Sequence, residues 1–389
     1  MVANKVLFCA TVDYHFKAFH LPILKWFKEK GWDVHIAASG EMEIPFVDKK
    51  FNIPIQRSPF NYRNLAAYVE LKLIINENDY KIIHCHTPMG GVLTRIAAKQ
   101  TKKNGTKVLY TAHGFHFCKG APLMNWLLYY PIEKVLARYT DCLITINEED
   151  YHRAIAHRFM AKEVEHVHGV GVDTDRYKPI NEVDKLERRV KSGYNEDDFL
   201  FFYAAEFNKN KNQQLLIKAL AKIKETVPNA KLLLAGEGVL QNSCRKLAID
   251  LGVENMVNFL GYRTDIVDIL PMCDIAVASS LREGLPVNIM EAMACGLPVV
   301  ATENRGHNEL LINEQNGFLI NPLDSNKFAE KLKVLAMSNE MYKRFGENSL
   351  RMVSRYDISS VGKELSNIYL RYMLRDMDET KDQYNRAYL

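Results

Sequence analysis

The sequence predicts an α/β protein made of two units in series, each built around a parallel β-sheet. Short apolar runs of strand length alternate with longer stretches of helical periodicity, which is the pattern of repeated β-α-β units. The alternation pauses at the charged segment 182–198 and restarts at Phe199. We therefore expect one domain over residues 1–175 and a second over 176–355, followed by an amphipathic helical segment.

The first domain is expected to begin the sheet-and-helix alternation directly. Parallel sheets bind ligands at the carboxyl ends of their strands, so the loop with Asp13, Tyr14 and His15 is expected near a ligand. Gly90 and Gly91 mark the start of a helix after another strand. Apolar runs predict strands at 5–11, 33–38, 82–86, 107–111 and 142–145, and the segment 164–172, VEHVHGVGV, closes this domain. Periodicity predicts helices at 18–30, 65–76, 122–138 and 147–157.

The second domain repeats the alternation without repeating the sequence. Its strands are predicted at 199–204, 230–235, 257–260, 275–278, 299–302 and 317–320. Its helices are predicted at 213–226, 240–251, 265–272 and within 279–298, and a long amphipathic helix follows at 356–374. This domain therefore offers a second set of loops at strand ends.

Composition and charge exclude several classes of protein. The net charge of +4 over 389 residues is too small to indicate nucleic-acid binding. The seven cysteines are scattered without a C-x-x-C pair, so we expect no disulfide framework and a reducing, cytoplasmic location. The N-terminal apolar run meets Asp13, as expected for a strand and not for a signal peptide. No run of 18 apolar residues predicts a membrane span.

The segment 279–298, SSLREGLPVNIMEAMACGLP, combines a strand end, a tight loop and a short helix. Pro286 suits the first helical position, and Gly284 permits a close backbone approach. A helix N-terminus favours a phosphate, while Glu283 and Glu291 could accept hydrogen bonds from a sugar hydroxyl and a ribose diol. A surface helix with two solvated acids is the alternative interpretation.

The flanks of this segment carry a family resemblance. The form S-x-x-E-G-x-P-x-x-x-x-E-A-M-A-x-G-x-P-V-V resembles the Glu-x7-Glu signature of retaining glycosyltransferases of family 4. The resemblance implies the GT-B architecture: two facing Rossmann-like domains with a cleft, and a C-terminal helix, 356–389, that crosses back to the first. It also implies a nucleotide-sugar donor, most often a UDP-sugar, and no metal or other cofactor.

The resemblance assigns roles residue by residue. Lys211 would bind the diphosphate, Glu283 the sugar and Glu291 the ribose, and His113 would face the donor sugar, which makes His113, Glu283 and Lys211 the catalytic set. The remaining donor-binding residues implied are Gly284, Leu285, Pro286, Tyr262, Arg263 and Gly236. On the acceptor side we nominate His15, His86 and Gly90. The family usually has Arg where this chain has Glu206, so another cation, Arg263 or Arg305, is expected to compensate.

The E-F-N-K-N-K-N-Q segment, 206–213, resembles a subgroup that builds bacterial surface polysaccharides. This implies an acceptor such as an undecaprenyl-diphosphate-linked saccharide at the inner face of the cell membrane. The aromatic helix 122–138 is either a core helix or an interfacial helix that works with Arg57, Arg63 and Lys119 at anionic headgroups. Both interpretations remain open from the sequence.

Paired histidines raise the question of a metal. His84 and His86 share one face of a strand, while Cys85 points to the other. The pairs His113/His116 and His166/His168 also lie near strand ends, yet no carboxylate or cysteine is spaced to complete a set. We therefore expect no metal site.

Other functions stay open on the sequence alone. The turn Gly236-Glu237-Gly238 lacks the full G-x-G-x-x-G pattern, which weighs against a nicotinamide-dependent oxidoreductase. A sugar-nucleotide epimerase or hydrolase would share the predicted fold. Glu206 also leaves room for a catalytically silent sugar-nucleotide binding protein.

Overall fold

The computed structural model describes residues 4–101 and 105–387, and for 375–387 the backbone only. The chain divides into two compact units. One comprises Met1–Gly171 with Ile358–Leu389, and the other Val172–Asp357. Each unit has its own parallel sheet with helices on both faces, as the alternation of strands and helices predicts.

The first unit contains a seven-stranded parallel sheet in the order β3-β2-β1-β4-β5-β6-β7. Its strands are β1 (Lys5–Val12), β2 (Asp33–Ser39), β3 (Lys49–Asn52), β4 (Ile82–His86), β5 (Lys107–Ala112), β6 (Cys142–Thr145) and β7 (Glu163–His166). Its helices are α1 (Tyr14–Phe19), α2 (Leu21–Glu29), α3 (Arg63–Asn78), α4 (Pro88–Ala97), α5 (Leu123–Leu136) and α6 (Glu148–Ala156).

The second unit contains a six-stranded parallel sheet in the order β10-β9-β8-β11-β12-β13. Its strands are β8 (Phe199–Ala204), β9 (Ala230–Ala235), β10 (Val257–Gly261), β11 (Ile275–Ala278), β12 (Val299–Thr302) and β13 (Gly317–Ile320). Its helices are α7 (Glu182–Lys191), α8 (Gln213–Ile223), α9 (Gln241–Asp250), α10 (Ile266–Ile269), α11 (Val287–Ala294), α12 (Arg305–Leu310), α13 (Ser325–Met337) and α14 (Asn339–Val353).

The last helix, α15 (Ile358–Ala387), belongs to the first unit. Tyr369 anchors it, because its buried ring packs edge-on against Phe27 of α2 at 4.8 Å between centroids. Nearer the helix start, Glu364 accepts hydrogen bonds from the backbone N–H of His168 at 2.9 Å and lies 2.7 Å from its imidazole. These contacts hold the end of the chain on the domain in which it began.

Both sheets have a switch point where the strand order reverses. In the first sheet the reversal lies between β1 and β4, and in the second between β8 and β11. Loops that follow these central strands diverge to opposite faces, which leaves a crevice at the carboxyl ends of the strands. The sequence-predicted candidates follow these strands: His15 after β1, His86 at the end of β4, Lys211 after β8 and Glu283 after β11.

The structure departs from the sequence predictions in several places, one of which is β7, a strand that was not predicted at the end of the first domain. The helix predicted at 18–30 is two helices, because His20 leaves helical geometry just before Pro22 in the first turn of α2. Pro286 precedes α11 with extended backbone (φ −80°, ψ 114°), so its placement as the first helical residue is wrong. Strand β3 was not predicted, since KKFN has too little apolar character. Helices α12, α13 and α14 were also not predicted.

Candidate active site

The loops after β8 and β11 are joined to each other at the switch point of the second sheet. Ser279 Oγ donates to the carbonyl of Lys211 at 2.7 Å, and the N–H of Leu281 donates to the carbonyl of Asn210 at 2.7 Å. The Asn210 side chain returns a hydrogen bond to the Arg282 carbonyl at 2.9 Å. These three bonds fix the two loops as one rigid platform.

Lys211 and Glu283 meet on this platform. Lys211 Nζ lies 2.5 Å from Glu283 Oε1, and the two side chains are 24% and 15% exposed. Both groups therefore remain within reach of a ligand while each partly neutralises the other. From the sequence, Lys211 was expected to bind a diphosphate and Glu283 a sugar. The contact between the two side chains was not predicted.

Helix α12 closes the platform from the side of β12. Arg305 Nε donates to the Glu283 carbonyl at 2.9 Å, which places a guanidinium beside the Lys211–Glu283 pair. A Cβ on Gly306 would lie 2.8 Å from Glu283 Cβ and 2.9 Å from the Gly284 carbonyl oxygen. Only glycine allows α12 to approach this closely. Arg305 was named from the sequence, but Gly306 was not. The need for glycine at position 306 arises only from the packing of α12 against the loop of Glu283.

Of the two cations proposed to compensate for Glu206, Arg305 is the one at the ion pair. Arg263 follows β10 and forms an exposed ion pair with Asp265, with Nε 2.8 Å from Oδ1. Glu206 itself is exposed and accepts a hydrogen bond from the Asn208 side chain at 3.1 Å. Arg305 is therefore the better-placed substitute for the family's usual arginine.

Glu291 occupies a different environment from Glu283, on the second turn of α11. Burial raises the pKa of Glu291 to about 7, although a hydrogen bond with Tyr177 and the charge of Arg176 act in the opposite direction. Glu291 in turn raises the pKa of Tyr177, after burial as the main cause. The Glu291–Tyr177 pair was not predicted, because the two residues are distant in the sequence.

The start of α11 is tied to the end of β8. The Asn288 side chain donates to the Ala204 carbonyl at 3.0 Å, and Pro286 provides no side-chain cap to the first turn. The N-terminus of this helix therefore lies beside the loop that carries Lys211, where its partial positive charge adds to the lysine. Leu285 and Pro286 are buried beneath this turn, and Gly284 is partly buried.

Gly236 and Tyr262 lie at the same edge of the second sheet, directly after β9 and β10. A Cβ on Gly236 (φ +131°) would lie 2.2 Å from the Ala205 carbonyl oxygen, so glycine is required for β9 to pack against the loop after β8. Its N–H donates to the Gly261 carbonyl at 2.7 Å. Gly236 therefore contributes close packing, whereas Tyr262 is 67% exposed and open to a ligand.

In the first unit, histidines converge at the other switch point. His113, at the end of β5, has Nε2 3.3 Å from His86 Nδ1, and its ring contacts that of His15 at 4.8 Å between centroids. His20, not predicted as a site residue, lies with its Nε2 3.1 Å from His15 Nε2. The break before Pro22 was the sequence signal that could have placed His20 there.

The strand-face prediction for β4 is confirmed. The rings of His84 and His86 are 4.1 Å apart between centroids, while Cys85 Sγ donates to the Leu109 carbonyl and belongs to the apolar core. Both nitrogens of His84 have partners, Tyr369 Oη at 2.5 Å and Thr111 Oγ1 at 2.8 Å. His84 therefore lies beside the histidine cluster with its ring nitrogens already engaged.

Gly90 brings α4 against β1. A Cβ on Gly90 would lie 2.9 Å from Ala10 Cα, and Thr87 just before the helix has a left-handed φ of 62°. The Thr87 hydroxyl lies 2.8 Å from Thr11 Oγ1 and accepts from the Thr11 N–H at 3.0 Å. Gly90 therefore acts through close packing that shapes the edge of the crevice.

A cavity of about 960 Å³ opens beside His15 in the first unit. Its walls come from α4, from α5 and from the segment that leads into α3, and they are mainly apolar. Arg57 and His116 are among its polar groups. The lining includes the aromatic residues Phe19, Phe60, Tyr62, Tyr68 and Tyr129.

Helix α5 packs on the core, as the first of the two interpretations of its sequence predicts, and it also carries exposed apolar side chains. Trp126, Tyr129 and Tyr130 pack against the apolar core of the first unit. The first half of α5 and the residues at the start of α3 expose apolar side chains, which we call the apolar rim. Its members are Phe60, Tyr62, Leu65, Leu123, Met124 and Leu127. Among the described residues, no helix combines the length and apolar character needed to cross a membrane.

Fold and site together define a GT-B glycosyltransferase. Residues 184–352 match the family of glycosyl transferases group 1, and residues 5–147 match the glycosyl transferase 4-like family. The chain belongs to this glycosyltransferase family and is a glycosyltransferase. The resemblance of the segment 279–298 to family 4 glycosyltransferases is confirmed.

Individual relatives extend over most of the chain. It is 50% identical over 382 residues to a putative glycosyltransferase, EpsD, of Bacillus subtilis, covering 98% of this chain and all of the relative. It is 29% identical over 305 residues to the Escherichia coli UDP-Gal:alpha-D-GlcNAc-diphosphoundecaprenol alpha-1,3-galactosyltransferase, covering 76% of this chain and 78% of that protein.

Solved structures share the fold. HepE of Anabaena, crystallised with UDP, superposes with a TM-score of 0.77 at 21% identity and covers 94% of this chain and all of that one. WaaG, a glycosyltransferase involved in lipopolysaccharide biosynthesis, gives a TM-score of 0.73 at 18% identity, covering 93% of this chain and 99% of that one. The expected fold of two Rossmann-like domains is confirmed.

Proposed function

We propose that this glycosyltransferase moves a sugar from a UDP-sugar to a saccharide carried on a lipid diphosphate, with retention of anomeric configuration, in the synthesis of a surface polysaccharide. The observation that carries the proposal is the platform in the second unit. There Lys211 pairs with the Glu283 carboxylate, and Arg305 donates to the Glu283 carbonyl, beside the N-terminus of α11.

The platform suits a diphosphate that must leave with its charge stabilised. Lys211 provides an ammonium group, Arg305 a guanidinium, and α11 a helix N-terminus, and all three favour an anion. We assign the leaving diphosphate to these groups without a divalent ion. Stabilising charge on the leaving group is the main demand of glycosyl transfer, because the sugar becomes oxocarbenium-like as the bond to phosphate breaks.

Glu283 is assigned to the transferred sugar and Glu291 to the ribose. Glu283 is held by its ion pair with Lys211, so its second oxygen is positioned relative to the diphosphate. Glu291 is more buried and pairs with Tyr177, which suits a fixed acceptor for the ribose diol. His113 is assigned a contact with the sugar, as the family resemblance implies.

Retention is proposed to follow a same-face displacement. In that mechanism, a phosphate oxygen of the donor takes the proton of the acceptor hydroxyl while the glycosidic bond to phosphate breaks. A double displacement would instead need a carboxylate nucleophile about 5 Å from a carboxylic acid. Glu283 is already engaged by Lys211, which favours the same-face route.

Two relatives support a uridine donor and a lipid-linked acceptor. The Escherichia coli galactosyltransferase carries UDP-Gal and diphosphoundecaprenol in its name, and HepE has been crystallised with UDP-glucose as well as UDP. The apolar cavity in the first unit supports the acceptor class, because a polar saccharide alone gains little from such walls. We assign this cavity to the part of the acceptor next to the lipid, with Arg57 near its diphosphate.

The apolar rim is proposed to contact the inner face of the cell membrane. Phe60 and Tyr62 are 83% and 82% exposed, and Arg57 and Arg63 flank them in the sequence. Aromatic side chains with neighbouring basic groups bind the interface of anionic bilayers. Replacing Phe60 and Leu127 with Ser is expected to reduce flotation with phosphatidylglycerol vesicles. Leu323→Ser, at an exposed leucine of the second unit, is the matched control.

The test of function is transfer to a defined acceptor. The full chain is incubated with a panel of UDP-sugars and either polyprenyl-diphosphate-linked GlcNAc or the same sugar without lipid. We expect at least tenfold higher kcat/KM for the lipid-linked acceptor, and NMR of the product should show the donor's anomeric configuration. An inverted product would refute the retaining mechanism, and equal rates on both acceptors would refute the lipid-linked assignment.

Two controls separate the remaining alternatives. UDP release or sugar isomerisation without acceptor, at the rate seen with acceptor, would indicate a hydrolase or an epimerase. UDP binding without any turnover would indicate a silent binding protein. His113→Ala is expected to lower kcat at least tenfold while the affinity for UDP stays within twofold, and full activity would remove His113 from the mechanism.

A further inference from the structure

Four histidines from separate segments of the first unit point at one place. His15 lies in α1, His20 at the junction of α1 and α2, His86 at the end of β4, and His113 after β5. One ring nitrogen from each lies within 4.8 Å of those of all the others. No metal was expected from the sequence because only the spacing of histidines within single segments was considered. His15 and His20 were not included.

The distances between the nitrogens fit a tetrahedral ion. His20 and His15 are 3.1 Å apart between Nε2 atoms, and His86 Nδ1 is 3.3 Å from His113 Nε2. Zinc binds histidine nitrogen at about 2.0–2.1 Å, so two ligands of a tetrahedral zinc are about 3.3 Å apart. These two pairs match that spacing, and the wider pairs of the set, up to 4.8 Å, would close by ring rotation when the ion binds.

The cluster leaves a buried polar atom that needs a partner. His86 Nε2 is buried and makes no hydrogen bond within the described chain. A cavity of about 30 Å³ adjoins it, and His20, His86 and His113 are among its walls. One imidazole binds a given ion through one nitrogen. Either Nε2 is therefore the ligand atom of His86, or Nδ1 is the ligand and Nε2 binds an ordered water.

The chemistry of the four rings suits a metal better than an anion. Burial lowers the pKa of His15 to about 4, and it holds the pKa values of His20, His86 and His113 well below their usual range, with further lowering by neighbouring histidines. Burial thus favours the neutral imidazole, which is the form that binds metal. A set of neutral nitrogens offers an anion no charge.

We propose that His15, His20, His86 and His113 together bind one divalent transition-metal ion, of the class that prefers tetrahedral imidazole ligands, with zinc as the physiological choice. The ion would cross-link the loop after β1 to the ends of β4 and β5 at the switch point of the first sheet. Four protein ligands leave no open position, so the role is structural. The proposal does not rest on the proposed function. It assigns one ring nitrogen of His113 to the metal, so the sugar contact proposed for His113 would use the other nitrogen.

The test uses Co²⁺ as a spectroscopic probe on the full chain, purified without a polyhistidine tag and stripped with chelator. We expect one Co²⁺ per chain with the intense visible bands of tetrahedral coordination, and displacement by one equivalent of Zn²⁺. His20→Ala and His86→Ala should weaken binding at least tenfold. His152→Ala, at an exposed histidine of α6, should bind as the wild type does.

Folding is checked independently of metal content. Far-UV circular dichroism shows whether each variant folds, and His20→Gln provides a variant of milder volume change. Zn²⁺ should raise the Tm of the wild type and of His152→Ala, but not that of the cluster variants, because only the native cluster binds the ion. Absence of tetrahedral bands in the wild type, or equal binding by all folded variants, would overturn the proposal and leave a buried water as the occupant.

Discussion

Lys211 and Glu283 are 72 residues apart in the sequence, and their side chains form an ion pair of 2.5 Å at the switch point of the second sheet. The pair joins the loop after β8 to the loop after β11. It also means that a diphosphate arriving at Lys211 meets a carboxylate beside it. The proposed roles therefore make opposite demands on the two residues: Lys211 would favour binding of the diphosphate, and Glu283 would oppose it while it serves the transfer. Substitutions at each position separate these effects.

Lys211→Met is expected to weaken the affinity for UDP at least tenfold while the affinity for uridine stays unchanged, because only the diphosphate meets the ammonium group. Isothermal titration calorimetry with both ligands measures the two affinities. Lys218→Met, at an exposed lysine of α8, is the matched control. An equal loss for UDP and uridine would show that Lys211 only supports the loop.

Glu283→Gln is expected to act in the opposite direction on binding. Removing the carboxylate releases Lys211 from its ion pair and removes a negative charge near the diphosphate, so the affinity for UDP should rise or stay constant. Transfer to acceptor should nevertheless fall at least tenfold, since the sugar loses its carboxylate partner. Weaker UDP binding together with unchanged turnover would contradict the assignment.

Glu291→Gln is expected to weaken UDP binding about tenfold, which corresponds to roughly 1.4 kcal/mol. The assignment to the ribose is tested with 2′,3′-dideoxy-UDP, which lacks the diol. The wild type should bind this analogue more weakly than UDP, whereas Glu291→Gln should bind the two ligands almost equally. The substitution and the loss of the diol remove the same interaction. Additive losses would place Glu291 elsewhere, and Glu225→Gln on the surface of the second unit is the control.

UDP binding should depend on pH through Glu291. Burial raises the pKa of Glu291 to about 7, and the ribose hydroxyls donate to the carboxylate form. The ligand thus favours the deprotonated state, so affinity rises with pH, by about tenfold from pH 6 to pH 8. UDP affinity is measured over the same pH range with Glu291→Gln. The change seen in this variant is the part caused by titration of the phosphate, and it is subtracted from the wild-type profile. A wild-type profile identical to that of the variant would contradict this prediction.

Donor binding is expected to need no divalent ion. Lys211, Arg305 and the start of α11 already provide positive charge at the proposed diphosphate site. The affinity for UDP should therefore be the same within twofold in Mg²⁺ and in EDTA. A loss in EDTA that Mg²⁺ restores would show that the diphosphate is bound through a metal. Measuring UDP affinity instead of turnover keeps this test independent of the histidine cluster.

Much of the fold could be predicted because it depends on local pattern. Apolar runs gave eleven of the strands in the sheets of the two units, several with their bounds unchanged, such as Ile82–His86 and Phe199–Ala204. The parallel order followed from the alternation of strands and helices. Strand β3 was not predicted because it lies at the edge of the sheet and contains two lysines. Its sequence therefore lacks the apolar run of a buried strand.

The candidate donor residues could be named from the sequence because their motif is contiguous. Glu283, Gly284, Pro286 and Glu291 all belong to one loop and helix. Their environments could not be predicted, because each depends on a distant segment. Tyr177 sets the surroundings of Glu291, and Gly306 allows α12 to pack against the loop of Glu283.

The sequence by itself determined the two α/β units, the family and the loop that carries the two acids, since these follow from short-range periodicity and a contiguous motif. Only the tertiary structure decided which side chains meet. It paired Lys211 with Glu283 and gathered His15, His20, His86 and His113 at one point. The physical reason is that a parallel sheet brings the carboxyl ends of distant strands to one edge, so the contacts there depend on strand order, which no local pattern records.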